Sequence, residues 1–143
     1  MIGSPEGERD TIFAPATVPG RSGVAVIRLS GPSTATIFRE MTGSDPRIGE
    51  ARLRTLRNGR GDIIDQAVCL YFKGPNSFTG EDVGEFQVHG SVAVLAACLQ
   101  RLAEFSHCRL AEPGEFARRA FENGKMDLSA IEGLADLIDA AVA

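Results

Sequence analysis

An α+β fold, a mixed sheet with helices packed to one side, is what three features of this 143-residue sequence predict. Strand-like runs such as VAVIRL at 24–29 and the alternating stretch 83–88 are separated by Gly, Pro and Asn turn formers. An Asn-Gly pair at 58–59 lies between two further strand runs, a strong hairpin signal. Interleaved with the strands are helical stripes, the clearest being Val92, Leu95, Leu99 and Leu102 at spacings of 3, 4 and 3.

Taken in order, residues 1–9 are polar and expected to fray. Thr11 to Ala14 reads as a short strand stopped by Pro15 and Pro19. Pro19 to Gly23 is a loop whose glycines permit close approach of the backbone to a ligand or another chain. In the strand that follows, Ala25, Ile27 and Leu29 form an apolar face, while Arg28 shares the other face with Val24 and Val26. A guanidinium there needs a carboxylate, a phosphate or open water, and either snorkelling or a site role provides one. Gly31-Pro32-Ser33 opens a helix with Ala35, Phe38 and Met41 inside, ended by Gly43.

After a loop at 44–50, residues 51–58 and 63–72 form the hairpin. Arg52, Arg54, Arg57 and Arg60 resemble a nucleic-acid patch, but no aromatic residues interleave with them. They read as a solvated edge that discourages strand-to-strand aggregation. Ser91 caps the helix that runs to Phe105, with Cys98 on its apolar side. His107 to Ala111 is a short strand, and Pro113 starts a helix that Asn123-Gly124 ends. Lys125 follows, and Asp127 caps a last helix with two apolar stripes. That pattern runs uncapped to Ala143, so the chain is expected to be a piece of a longer protein.

Composition narrows the class. A hydrophobic content of 43% with 24% charge describes an ordinary soluble domain, and no apolar run approaches the ~20 residues of a membrane span. Cys69, Cys98 and Cys108 are odd in number and lack CxxC spacing, so they read as buried thiols of a reducing cytoplasm. A net charge of −4 argues against a main nucleic-acid surface. There is no GxxxxGK[ST] loop, HExxH or GxSxG, so nothing marks a nucleotide-phosphate cradle, a metal site or a serine nucleophile. No catalytic residue is assigned.

The stretch 74–90, GPNSFTGEDVGEFQVHG, concentrates the remaining chemistry: three acids (Glu81, Asp82, Glu85), His89 and two phenylalanines. Val83, Glu85 and Gln87 point one way, Phe86 and Val88 the other. On spacing alone this is an ordinary loop with a half-solvated edge strand; the alternative is a polar pocket wall. His89 and His107 read as structural hydrogen-bonders, with a site role open for His89.

GPNSFTGED with its E-x-Q-x-HG continuation resembles the N-terminal domain of the tRNA-modification GTPase family called MnmE or TrmE. So do DTIFAPATVPGRSGVAVIRLSG near the start and EPGEFARRAFENGKMDLSAIEGLADLIDA at the end. The chain departs from the family's Leu-Glu-Leu-Gln-Gly-His-Gly-Gly-like run at Gly84, Val88 and Ser91, which bears on the pocket wall. The resemblance implies a folate-binding fold like that of the glycine-cleavage aminomethyltransferase. Residues 1–127 would form a tetrahydrofolate-binding and dimerisation domain, and 128–143 the start of a helical domain. The implied ligand is 5-formyl- or methylene-tetrahydrofolate, and the site residues carried over are Arg28, Glu85 and Lys125. The implied protein is a cytoplasmic homodimer that works with a flavoprotein on the wobble uridine of tRNA. Its GTP, magnesium and potassium belong to a GTPase domain absent from this chain, so this piece is not expected to hydrolyse GTP. The rival readings are a stand-alone folate-dependent aminomethyl or methyl transferase and a dimerisation scaffold with a decayed pocket.

Overall fold

A computed structural model describes residues 9–16 and 23–126. The expected loop at 19–22, the helix from Asp127 and the first eight residues lie outside that range. The elements are β1 (Thr11–Pro15), β2 (Val24–Ser30), α1 (Thr34–Thr42), β3 (Arg52–Arg57), β4 (Ile63–Phe72), β5 (Val83–His89), α2 (Val92–Ala103), β6 (Cys108–Leu110) and α3 (Glu115–Glu122). The strands form one mixed sheet in the order β3-β4-β5-β2-β1-β6, parallel only between β1 and β6. The α+β expectation holds.

Alternation decides which face is covered. Ala25, Ile27 and Leu29 of β2, Phe86 and Val88 of β5, and Cys69 and Tyr71 of β4 all enter the main core. α1 meets them through Phe38, whose ring lies edge-on to Tyr71 at 6.0 Å and tilted to Phe86 at 5.4 Å. Removing a fully buried phenylalanine such as Phe86 from water contributes roughly 2–3 kcal/mol. α1 ends at Gly43, whose φ of +82 makes the left-handed cap. Its inner side also includes Ile37, which the expected stripe omitted.

α2 starts where expected, the Ser91 hydroxyl accepting from the Val94 amide at 3.0 Å. Leu95, Cys98 and Leu102 are buried, but Val92, in the first turn, is 73% exposed. The three thiols are all buried and unpaired. Burial pushes Cys69 and Cys98 up to about 12 and Cys108 to about 11. β3, which carries Arg52, Arg54 and Arg57, is an outer strand, as its charge pattern foretold. β5 corrects the other edge reading: it is an interior strand, flanked by β4 and β2. Its polar face therefore belongs to an interior strand. Among the described residues, no helix is long and apolar enough to cross a membrane.

Candidate functional site

The second face of the sheet has two cross-strand rows that end in a cavity. Register places Leu70, Glu85, Arg28 and Ala14 side by side across β4, β5, β2 and β1. The next row is Phe72, Val83, Ser30 and Ile12. Arg28 and Glu85 are therefore directly opposite partners, with Nη2 and Oε2 3.6 Å apart. That is an ion pair too long for a direct hydrogen bond, so both groups keep bonding capacity. They line a cavity of about 260 Å3 with Phe72, Ser77, Phe78 and Val83.

The loop at 74–82 supplies the outer wall, and it is tied down at every turn. Gly74 lets its ends close, since a Cβ there would stand 2.6 Å from the Gly80 carbonyl. Asp82 accepts from the Tyr71 hydroxyl and, at 2.9 Å, from the Gly74 amide. Burial by itself would raise that carboxyl, but these bonds and Lys73 hold it below the usual range. Ser77 donates to the Glu81 carbonyl and accepts from the Gly80 amide. Phe78 is left 43% exposed at the cavity.

The structure thus brings together Arg28 and Glu85 of the three expected binding residues, and places Lys125 elsewhere. The Lys125 ammonium donates to the Pro75 carbonyl at 2.8 Å, fastening the loop instead of lining the cavity. His89 is not in the cavity either. Its amide and Nδ1 both engage the Asp65 carboxylate, each at 2.8 Å, at the other end of β5. Gly84 and Val88, two of the departures from the family's run, do not reach the pocket wall. Both turn to the helix-covered face, where a Cβ on Gly84 would lie 3.1 Å from Thr34 Cγ2. Ser91 is the α2 cap.

Sequence reasoning missed the aromatic member Phe72 and the charged cluster behind the loop. Arg119, 4% exposed, reaches Glu81 at 3.0 Å and Glu115 at 3.3 Å. Arg109 makes a two-pronged contact with Glu115 at 2.8 and 2.6 Å and binds Asp10 at 3.0 Å. Burial would raise Glu115, but the Arg109 bonds, the Glu112 amide and Arg119 bring it down to about 2. The Glu115–Arg119 spacing of four on a helix was the one readable signal for this cluster.

The chain matches the family of the GTP-binding protein TrmE N-terminus over residues 11–125. The tRNA modification GTPase MnmE of Phenylobacterium zucineum is 58% identical over 130 residues, which cover 91% of this chain and 29% of that protein. The protein of the same name from Roseobacter denitrificans is 56% identical over 131 residues, covering 92% and 31%. The one from Anaplasma phagocytophilum is 54% identical over 136 residues, covering 93% and 30%. The chain spans about three-tenths of the length of these curated relatives. With the family matched across the strands that carry Arg28 and Glu85 and the whole 74–82 loop, the chain belongs to the family of the GTP-binding protein TrmE N-terminus.

Proposed function

We propose that this domain binds a reduced folate, 5-formyl- or methylene-tetrahydrofolate, in the cavity beside Arg28 and Glu85. The observation that carries the reading is one carboxylate and one guanidinium, side by side and not hydrogen-bonded to each other, next to two phenyl rings. A pterin presents adjacent amino and ring N–H donors, which a carboxylate such as Glu85 accepts together. Its flat ring suits contact with Phe72 and Phe78. The anionic glutamyl tail needs a cation, and Arg28 meets that need from the cavity wall. Lys125 serves the site by holding the loop through Pro75. A fold akin to the aminomethyltransferase of glycine cleavage accords with a folate lying against one side of a mixed sheet.

Around this domain we propose a longer cytoplasmic homodimer whose remaining parts hydrolyse GTP with magnesium and potassium. With a flavoprotein it would modify the wobble uridine of tRNA, the folate supplying one carbon. The present chain binds and does not catalyse. Calorimetry and thermal melting with 5-formyl-tetrahydrofolate test the reading. A ligand selective for the native state adds about 2.7 kcal/mol of stability by mass action at a hundredfold excess over Kd, and so raises the melting temperature. No heat and no thermal shift at millimolar ligand would overturn folate binding.

A further inference from the structure

The ring of Phe78 is 43% exposed, so it owes its position to the backbone on either side of it. The residues just beyond that ring are anchored to α3 and the turn that follows it. Thr79, fully buried, bonds the Ser30 hydroxyl at 2.7 Å, and its carbonyl accepts from Asn123 Nδ2 at 2.8 Å. Glu81 accepts from Ser30 Oγ at 2.6 Å and from Arg119 Nη1 at 3.0 Å. Gly80, between them, has φ +84, and a Cβ there would meet Asn123 Cβ at 2.8 Å. The loop and the α3 turn are thus in contact that only glycine at position 80 allows.

The charges that make this clamp are costly. Arg119 and Glu115 are both about 95% buried, and an apolar replacement of such a pair is often as stable or more so. What a fully bonded polar network gives in return is a single geometry. Arg119 is fixed on both sides, by Glu115 at 3.3 Å and the Ser30 carbonyl at 3.4 Å, before it reaches Glu81.

We infer that Arg119 and Asn123 are positioning residues for the cavity: they set the 79–81 segment so that Ser77 and Phe78 stand opposite the Arg28–Glu85 pair. The identity of the ligand rests on the folate reading; the positioning itself does not. The chain contains no tryptophan, so Phe78→Trp provides a single fluorescent reporter on the cavity wall. Two variants release the clamp. Asn123→Ala removes an exposed side chain with one bond to the loop, and Arg119→Lys keeps the charge but loses the guanidinium fork.

Asn123→Ala is expected to leave the melting temperature near that of the parent, since Asn123 is exposed. Arg119→Lys should lower it, since a buried guanidinium with bonds to Ser30, Glu81 and Glu115 is replaced. The reporter is therefore read well below the transitions of both variants. Each should increase acrylamide quenching and lower the anisotropy of the reporter without ligand. In the Phe78 background each should weaken 5-formyl-tetrahydrofolate by about tenfold, the worth of one hydrogen bond. If the parent binds folate and both variants bind it equally well, the positioning role is overturned. If the parent binds no folate, the folate reading fails. The reporter then decides alone: greater mobility in the variants upholds the clamp, and unchanged quenching and anisotropy in both variants overturns it.

Discussion

At the scale of single residues, Glu85 and His89 lie on one strand with different surroundings, and that difference is measurable. Glu85 faces a cavity with its carboxylate 3.6 Å from Arg28, whereas His89 is committed to Asp65 and is open to water. Glu85→Ala should weaken folate by roughly 1–3 kcal/mol, because the pterin donors lose their charged acceptor in a partly enclosed site. It should cost little stability, since the ion pair it breaks is partly exposed and such pairs contribute about 0–1 kcal/mol. His89→Ala should leave the affinity unchanged. Titration calorimetry on both variants checks this, and equal losses would mean that the binding carboxylate has been misassigned. The Arg28–Glu85 pair beside the cavity was readable because a charged residue on each of two strands stood out against apolar neighbours. Lys125 stands apart from that pair, at the Pro75 carbonyl, and a lysine after a helix cap looks the same in sequence whether it meets a ligand or a backbone carbonyl.

At the scale of elements, local chemistry and long-range pairing separate cleanly. Ser91 as a cap, Gly43 as a stop and the Asn58-Gly59 hairpin are decisions made within a few residues, and each appears as the sequence indicated. The interior position of β5 depends on β2, whose pairing residues lie some sixty positions earlier, and no local pattern encodes it. The same holds for the α3 clamp, where Arg119 meets Glu81 across 38 residues. That clamp makes stability depend on acid. Glu115 ordinarily titrates near 4.5 and is held at about 2 in the folded domain. Because the folded value is depressed, its contribution is complete above the ordinary value and is lost as pH falls toward 2. Urea unfolding at a series of pH values should therefore show a steeper loss between about pH 5 and 2 for the parent than for Glu115→Gln. Parallel curves would show that the Arg109–Glu115–Arg119 chain does not stabilise the fold through charge.

At the scale of the whole molecule, the question is what covers the second face of the sheet. α1 and α2 bury the first face, while the second carries the row Leu53, Val68, Gln87 and Val26 beside the cavity. Leu53 is 64% exposed, and Val68 and Val26 are half-buried. An apolar face of this kind suits a partner in proportion to the area it can bury. Pairing through the outer strand β3 is disfavoured, because Arg52 and Arg57 would bring like charges together across a two-fold axis. The proposed homodimer is therefore expected to join through a sheet face and not through the β3 edge. Its dissociation constant should change little between low and high salt, since buried apolar area is insensitive to screening while arginine-lined contacts are not. Sedimentation equilibrium over a wide concentration range and two ionic strengths tests both points. A single closed dimer with a salt-independent constant supports association through the face. A dimer that strengthens steeply with salt would place the arginine edge in the interface, and a monomer at every concentration would remove the homodimer altogether.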